Sequence, residues 1–518
     1  MVGFSSWSVS ALVFSALADS CDPQSKNKTQ DVFSTNCKGG RYTYKELAAF
    51  GFIPSDTRDK FGDTFSIGSS ISIASWQKKD ANNYEGILFG LPDRGWNTNG
   101  TVNYQPRIHQ FKVTMTLAAN ATVDKPSAAN LAFEYRDTVL LTDPAGNPAT
   151  ALDPDQTGGL EFGSFPLLPA STFSGDGFGG NGPGGRRVSI DPESVVLDKD
   201  GGFWIGDEYG PNIYKFDKSG RMVLAVPPPD ALVPIRNGSA SFSSNNPPLF
   251  DPQKVPNPKK PVHGRQNNQG YEGITISADG KSLFAMLQSA TSQDGGTSDK
   301  TRANTRLLRY SIQDGNTPPK YEAEFVVPLP TFTDAQGNVS AAAQSEIHFV
   351  SSTQFLFLPR DSDNGRGQES TTSVFRHVDV FDISDATNIK GDASDGFNSS
   401  IASADGVLKS GIKPATVCSF IDVNINAQLN RFGAHNGGEA DAGLLNEKWE
   451  GLALAAVDGE GKGDEYFLFA SSDNDFISQN GSMNFGKTPF KDGSGLSLDN
   501  QMLVFRVTLP KGSKPLLK

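Results

Sequence analysis

Acidic residues recur along the chain at the start of short apolar segments that have the composition of strands. In each repeat a second polar cluster closes the strand that follows. The opening residues are Glu193, Glu272, Glu346 and Glu450, and the closing clusters are Asp207-Glu208, Gln288, Arg360-Asp361 and Asp473-Asn474-Asp475. The separations are 15 (193 to 208), 16 (272 to 288), 15 (346 to 361) and 23 residues (450 to 473). Carboxylates grouped in this way can bind divalent cations or transfer protons, if the fold brings them together.

The repeats predict the architecture that would do so. Strand pairs joined by Gly- and Asp-rich turns are typical of radially repeated sheets. The 54 Gly and 32 Pro residues suit many turns, and no long segment has convincing helical periodicity. We therefore predict an all-β fold, a β-propeller of five four-stranded blades, with six blades as the alternative. In such a ring, the matching ends of the inner strands meet at one mouth.

Other segments complete this prediction. A first blade is expected at 65–76, 84–91, 108–117 and 131–141, with Gly68-Ser69-Ser70 in place of the opening acid and Asp93-Arg94 as the closing cluster. The last repeat has no obvious fourth strand after 501–509. The segment 42–53 could supply it and close the ring, which removes exposed sheet edges. Residues 142–190 are rich in Gly, Pro and Ser, which favours a long loop over an altered extra blade.

A mouth lined by these residues would be strongly acidic. Two like charges about 6 Å apart repel by roughly 3 kcal/mol at an effective dielectric near 20, so some carboxyls must hold protons, pair with arginine or bind a cation. Oxygen ligands suit Ca²⁺, with Mg²⁺ as the alternative, and none of the five histidines is spaced as a zinc-binding pair. We therefore predict Ca²⁺ as the cofactor, although any one of these acids could instead accept turn hydrogen bonds. The predicted metal ligands are Glu193, Asp207, Glu272, Asp361, Glu450, Asp473 and Asp475.

The most specific string is Asp207-Glu208-Tyr209-Gly210-Pro211. Adjacent strand residues point to opposite faces, so one acid can face the mouth while the other holds the loop. The candidate catalytic residues are Glu208, Glu272, Arg94 and Arg360, and the candidate substrate-binding residues are Asp93, Arg94, Tyr209, Gln288 and Arg360. The chain lacks a Gly-x-Ser-x-Gly elbow, a phosphate-binding Gly-x-x-x-x-Gly-Lys-Ser/Thr loop and a His-Glu-x-x-His motif. Their absence argues against an α/β-hydrolase or a nucleotide-dependent enzyme.

The termini and composition indicate export. Residues 1–18 are interpreted as a signal peptide and 19–40 as a polar, poorly ordered segment, leaving 41–512 as the propeller domain. Asn-x-Ser/Thr sequons occur at Asn27, Asn99, Asn120, Asn237, Asn338, Asn398 and Asn480, so we expect N-glycosylation. The net charge of −12 argues against nucleic acid as a partner. No further segment is long and apolar enough to span a membrane, and we expect a secreted monomer with a small-molecule substrate.

The three cysteines leave the disulfide pairing open. Cys21 and Cys37 are close in sequence and could close a small loop in an oxidising compartment. Cys418 lies in an apolar strand, where we expect a buried free thiol, with a Cys37–Cys418 bond as the alternative.

Several of these motifs together resemble one family. They are Asp191-Pro-Glu-Ser-Val-Val, Asp207-Glu-Tyr-Gly-Pro-Asn-Ile, Gln269-Gly-Tyr-Glu-Gly-Ile, Arg360-Asp361, Trp449-Glu450-Gly451-Leu452 and Ser472-Asp-Asn-Asp-Phe476, with Asp93-Arg94-Gly95 as the first motif. Over roughly residues 60–510 the chain resembles the phytase-like domain family, which is also described as the family with esterase-like activity of phytase. The resemblance implies a secreted propeller that hydrolyses phosphoric or carboxylic esters. With so acidic a mouth, a calcium-assisted reaction is the version compatible with the residues. The alternatives are a non-catalytic ligand-binding propeller and a lactonase-like calcium propeller.

Overall fold

Five antiparallel sheets are arranged as the blades of a β-propeller in the computed structural model, which describes residues 31–334 and 336–517. The strands of each blade follow in order from the axis outward. Blade 1 contains Ser70–Lys78, Asn83–Leu91, Arg107–Thr116 and Leu131–Leu140, and blade 2 contains Pro192–Leu197, Phe203–Asp207, Ile213–Phe216 and Met222–Val226. Blade 3 contains Tyr271–Ile276, Ser282–Leu287, Asn304–Ser311 and Lys320–Pro328, and blade 4 contains Ala343–Phe349, Gln354–Arg360, His377–Asp382 and Thr416–Asp422. Blade 5 contains Trp449–Ala456, Glu465–Ser472, Asn500–Thr508, Gly40–Ile53 and Phe33–Cys37.

The ring closes between the two ends of the chain. Gly40–Ile53 pairs antiparallel with Asn500–Thr508, so the predicted closing strand is confirmed. The inner strands of blades 1 to 5 contact one another in cyclic order, which confirms five blades. Phe33–Cys37, in the segment expected to be poorly ordered, adds a fifth strand to blade 5. The proposed signal peptide and residues 19–30 lie outside the described residues.

The apolar core lies between neighbouring blades, whose faces pack on one another. Phe284 of blade 3 meets Phe355 of blade 4 with ring centroids 4.8 Å apart, and Trp76 of blade 1 meets Phe469 of blade 5 at 5.2 Å. Alternating buried side chains on each strand therefore fill both inter-blade spaces, as expected for sheets packed face to face.

Close approach near the axis explains one feature of the sequence repeat. Glycine follows the opening acid in blades 3 and 5, at Gly273 and Gly451. A Cβ on Gly273 would lie 2.7 Å from the backbone nitrogen of Ile347 in blade 4. The glycine is therefore required where the inner strands almost touch.

Segments outside the blades are short hairpins and single helical turns. The predicted excursion at 142–190 is a loop that carries one hairpin, Ala170–Phe173 with Gly185–Val188, and is not an extra blade. Further hairpins are Ile235–Arg236 with Ser239–Ala240, Thr331–Thr333 with Val339–Ala341, and Gly481–Met483 with Thr488–Phe490. The helical turns are Asp230–Leu232, Ser292–Asp294, Asp392–Asp395, Asn426–Leu429 and Asn430–Phe432. Across the described residues, none of the helices has the length and apolar character needed to cross a membrane.

A disulfide joins the outermost strands of blades 5 and 4. Cys37 is bonded to Cys418, 381 residues away, because Phe33–Cys37 lies beside Thr416–Asp422. The expected free thiol at Cys418 and the expected Cys21–Cys37 loop are therefore wrong, and the alternative pairing is correct. Cys21 lies outside the described residues.

Loss of this disulfide should destabilise the ring. Replacing Cys37 and Cys418 together with serine is expected to lower the free energy of unfolding by about 2–5 kcal/mol, because the bond closes a very long loop in the unfolded chain. Thermal unfolding with and without dithiothreitol checks this. Reductant should lower the melting temperature of the wild type and leave that of the double variant unchanged. A wild type whose melting temperature is insensitive to reductant, even after prolonged incubation, would contradict the prediction.

Candidate functional site

Three of the four opening glutamates, Glu193, Glu272 and Glu450, lie close enough at one end of the ring for their charges to raise one another's pKa values. These three are the second residues of the inner strands of blades 2, 3 and 5, whereas Glu346 is the fourth residue of the inner strand of blade 4. Glu193, Glu272, Glu450 and Glu346 are only 5, 2, 3 and 3% exposed. The inner strand of blade 1 begins with Ser70. We call this end of the ring the mouth. Its polar residues are buried, so each charge must be compensated by its neighbours.

Lys448 compensates one side of the mouth. Its Nζ lies 2.8 Å from Asp475, 3.2 Å from Asp473, 3.6 Å from Glu450 and 3.7 Å from Asp93. Burial alone would lower the pKa of Lys448, but these carboxylates raise it well above its usual value. Burial likewise opposes ionisation of Asp473, yet Lys448 and hydrogen bonds lower its pKa. We call these five residues the lysine cluster.

On the other side of the mouth, Arg94 faces two acids. Its Nη1 lies 3.1 Å from Asp191 and its Nη2 lies 3.9 Å from Glu208. One carboxylate oxygen from each of Asp93, Asp191 and Glu193 lies within 4.8 Å of the others, and we call these residues the carboxylate triad. The buried oxygens of Asp191 and Glu208 accept no hydrogen bond within the described residues. The negative charge of Asp191 is therefore only partly compensated by Arg94.

Arg360 pairs with blade 5. Its guanidinium lies 2.7 Å from Glu450 and 3.0 Å from Glu447, and its Nε donates to the Ser345 hydroxyl at 3.3 Å. Both carboxylates raise the pKa of Arg360 against the effect of burial. Arg360 is therefore held firmly at the edge of the mouth.

Proton affinity is raised across the centre of the mouth. Burial, followed by the charge of Asp191, raises the pKa of Glu208 to about 8. Burial and then the charges of Glu208 and Glu450 raise the pKa of Glu272, whose carboxylate accepts a hydrogen bond from the Gln288 amide. Burial raises the pKa of Glu450 to about 7, against the influence of Lys448 and Arg360. Near neutral pH the centre therefore holds exchangeable protons, as general acids and bases require.

Two predicted metal ligands, Asp207 and Asp361, instead accept hydrogen bonds that hold loops in place. Asp207 accepts hydrogen bonds from the backbone nitrogens of Asp191, Tyr209 and Gly210 and from the Tyr214 hydroxyl. These donors use its carboxylate oxygens, and we assign it no role in metal binding.

Asp361 is occupied in the same way. It accepts hydrogen bonds from the Ser373 hydroxyl, the Val374 backbone nitrogen and the Asn364 amide. Tyr209, predicted to contact a substrate, is fully buried and its hydroxyl donates to Ala151 O. We therefore also assign no ligand contact to Asp361 or Tyr209.

Glu346 faces a different environment. Its carboxylate accepts hydrogen bonds from the Ser70 hydroxyl at 2.5 Å and from the Ile347 backbone nitrogen, and burial raises its pKa. It borders an axial cavity of only about 10 Å³, which Leu516 and Leu517 also line. The axis is therefore no passage for a substrate.

Loops cover part of the mouth. Trp96, Tyr104, Phe476, Met483 and Phe490 belong to one apolar cluster that joins the loop after the second strand of blade 1 to the loop after the second strand of blade 5. The Trp96 indole donates to Asp492 at 2.9 Å. The loop over residues 478–498 therefore contributes to a cap over the mouth.

Sequence reasoning missed Asp191 and Lys448. Each stands two residues before an opening glutamate, Glu193 or Glu450, and side chains two apart on a strand share a face. That spacing is the signal that could have identified both.

Comparison with known proteins gives this site a family context. The family model for phytase-like proteins, described as esterase-like activity of phytase, matches residues 81–476. An uncharacterized secreted protein of Arthroderma benhamiae is 48% identical over 465 residues, which is 87% of this chain and 90% of the relative. This relative confirms the predicted location, and the chain described here is a secreted protein.

Solved structures with similar strand arrangements are distant. An N-acetylgalactosamine deacetylase from F. plautii is 9% identical with a TM-score of 0.29, covering 89% of this chain and 95% of its own. The Cps50 (Swd1) β-propeller domain of Myceliophteria thermophila is 10% identical with a TM-score of 0.23, covering 84% and 99%. At these scores the similarity carries no argument about activity.

Proposed function

Because the chain belongs to the phytase-like family, as its motifs predicted, we propose that it is a secreted hydrolase of phosphoric or carboxylic esters, assisted by a divalent cation, best Ca²⁺. The observation that carries this proposal is the carboxylate triad, buried beside Arg94 and next to carboxyls with raised pKa values. Buried charge of this kind is costly unless a ligand or a proton compensates it.

The carboxylate triad fits a calcium ion by its chemistry. Asp93, Asp191 and Glu193 supply oxygen ligands only, which Ca²⁺ prefers. Both side-chain oxygens of Asp191 lack hydrogen-bond donors, and only one of them pairs with Arg94. Among the predicted metal ligands, Glu193 thus remains a candidate. Asp473 and Asp475 already hold Lys448 in the position of a cation.

The residues around the carboxylate triad can take separate roles in ester hydrolysis. When bound, the cation would stabilise negative charge that develops on the ester. The buried Nε of Arg94 has no hydrogen-bond acceptor among the described residues, so the guanidinium can orient an anionic group. Glu208 carries a proton below about pH 8 and can donate it to the departing alcohol oxygen. Glu272 lies close enough to Glu208 for the two carboxyls to share protons, and its ionised form can accept a proton from the attacking water.

The test of this proposal is a substrate panel with chelator and a triad variant. We expect the wild type to hydrolyse aryl phosphates or aryl esters, to lose activity in EGTA and to recover it with Ca²⁺. Asp191→Asn should lower kcat/KM by roughly 100-fold or more and abolish the Ca²⁺-dependent rise in melting temperature. The matched control is Asp200→Asn, at an exposed turn of blade 2, which should leave both unchanged. An Asp191→Asn variant that keeps full activity and the calcium effect would refute the metal assignment.

A second function, ligand binding without catalysis, is favoured by one observation. Lys448 and Arg360 already neutralise much of the mouth from within, and loops cap it. A propeller of this kind would show a Ca²⁺-dependent melting temperature but no turnover on esters, phosphoesters or lactones. The lactones in that panel also test a lactonase-like activity.

Exposure of the sequons supports N-glycosylation, which we also propose. Every sequon asparagine in the described part of the chain is exposed, namely Asn99, Asn120, Asn237, Asn338, Asn398 and Asn480. Asn27 lies outside the described residues.

A further inference from the structure

A polar groove with a volume of about 980 Å³ opens beside Arg360 on the mouth side of the ring. Its walls are the hairpin Thr331–Thr333 with Val339–Ala341, the 299–302 segment of blade 3 and the 362–374 loop of blade 4. We propose that this groove binds an uncharged, hydroxyl-rich part of the substrate, a sugar or a linear polyol. The inference rests on the proposed ester hydrolysis, because it assigns the groove to one half of the ester.

The lining chemistry matches hydroxyl groups. Asn364, Gln368, Ser370 and Thr372 present amides and hydroxyls, which both donate and accept hydrogen bonds. The Asn364 amide nitrogen is committed to Asp361, while its side-chain oxygen accepts no hydrogen bond from the described residues. A hydroxyl-rich ligand can satisfy acceptors and donors together.

One aromatic residue supplies an apolar surface in the same groove. Phe332 is half-buried and stacks on Phe375, with ring centroids 6.0 Å apart and an angle of 19° between the rings. This packing fixes the ring, and its exposed part can contact the C–H face of a sugar or polyol chain.

The charges of the groove disfavour a polyanion. Asp299, Asp334, Asp363 and Glu369 outnumber the cations Arg302 and Arg360 among the lining residues. Each arginine is already paired, Arg302 with Asp299 at 2.8 Å and Arg360 with Glu447 and Glu450. A polyphosphorylated ring such as phytate would meet net repulsion here, whereas a neutral group would not.

The groove is also rigidly connected to the mouth. Glu447 accepts from Arg360 at 3.0 Å, from the Asp363 backbone nitrogen at 3.3 Å and from the Gln368 amide at 3.4 Å. Arg360 in turn contacts Glu450 of the lysine cluster. A ligand lying in the groove therefore has one end next to the buried carboxylates, and the preformed loop lowers the entropy cost of binding it.

Binding and kinetics on the full chain test this assignment. We expect calorimetry to detect binding of neutral oligosaccharides or of linear polyols to the wild type, and the class that binds identifies the ligand. Phe332→Ala should weaken that binding about 10-fold and raise KM, with little change in kcat, for phosphate or acetate esters of the same compound. Hydrolysis of small aryl esters should not change. Phe52→Ala, at an exposed phenylalanine of blade 5, is the matched control and should change neither quantity.

The outcomes separate this inference from the proposed function. If no saccharide or polyol binds while aryl esters are still hydrolysed, the groove assignment is overturned and ester hydrolysis stands. If saccharide binds in a Phe332-dependent manner but no ester is hydrolysed, the groove assignment holds and the hydrolase proposal fails. Preferential hydrolysis of phytate, unaffected by Phe332→Ala, would also overturn the groove assignment.

Discussion

Replacing Lys448 with methionine is expected to lower the free energy of unfolding by about 3–5 kcal/mol at pH 7. The reason is that the buried carboxylates, which share one ammonium in the wild type, lose their counter-ion in the variant. Four acids lie within 3.7 Å of Nζ, and the side chain is only 20% exposed. Methionine has a similar length but no charge. Urea unfolding of the two proteins in EGTA measures the difference.

Two conditions should rescue this variant. Without the ammonium, the lowered pKa of Asp473 should rise, and the pKa values of Asp93 and Glu450, which burial already raises, should rise further. Folding of the variant then takes up protons. The difference in unfolding free energy between the variant and the wild type should therefore shrink as the pH falls towards 5. Ca²⁺ should also restore stability, because oxygens of Asp93, Asp473 and Asp475 lie within 4.8 Å of one another.

The matched control for Lys448→Met is Lys462→Met. Lys462 pairs with Glu460, but its side chain is 78% exposed. Its replacement should leave the unfolding midpoint unchanged, since exposed ion pairs contribute little. Equal midpoints for Lys448→Met and the wild type at pH 7 would show that the lysine cluster does not need its cation.

The ring of blades could be predicted from the sequence because two patterns agreed. The alternation of apolar residues predicted the strands. The recurrent glutamates predicted that strand pairs repeat as blades around one axis. The closing strand followed from counting, since blade 5 otherwise lacked its fourth strand. Phe33–Cys37 escaped prediction because its sequence, Phe-Ser-Thr-Asn-Cys, is polar and its pairing depends on the neighbouring strand.

The disulfide could not be chosen from the sequence for a related reason. Cys37 and Cys418 are brought together only when the outermost strand of blade 5 lies beside blade 4. Proximity along the chain favoured Cys21 instead. Pairing across 381 residues is a property of ring closure and is not encoded locally.

The site was predictable in position but only partly in detail. Glu193, Glu272 and Glu450 lie together, whereas Glu346 borders the axial cavity, and the closing clusters divide between two tasks. In Asp207-Glu208 the first acid holds the loop and the second is buried without a hydrogen bond. The sequence indicates that adjacent side chains diverge, but the direction of each depends on the turn that follows.

Replacing Glu208 with glutamine is expected to raise stability and to abolish most of the proposed activity. The pKa of Glu208 is about 8 in the folded protein and near the ordinary value of 4.5 when unfolded. Between these values the folded state holds a proton that the unfolded state has lost, so this group makes the protein less stable as the pH rises from 4.5 to 8. Glutamine is neutral at every pH and does not impose that loss.

The size of this effect follows from the pKa difference. One pKa unit corresponds to about 1.4 kcal/mol, and sharing of protons with Glu272 reduces the part that belongs to Glu208. We therefore expect Glu208→Gln to stabilise the protein by up to about 3 kcal/mol at pH 8 and much less at pH 5. Urea unfolding in EGTA at the two pH values measures this. Some decline with pH should remain in the variant, because the pKa values of Glu450 and Asp207 are each raised to about 7.

Activity should change in the opposite direction. Loss of a proton donor is expected to lower kcat by roughly 100-fold or more. The glutamine variant should therefore be nearly inactive at every pH. A gain in stability together with a loss of activity is expected when a catalytic residue destabilises the folded protein. Glu439→Gln, at an exposed glutamate, should alter neither stability nor turnover. If Glu208→Gln were instead destabilised equally at pH 5 and pH 8, Glu208 would be an ionised structural carboxylate, and the donor role would have to be withdrawn.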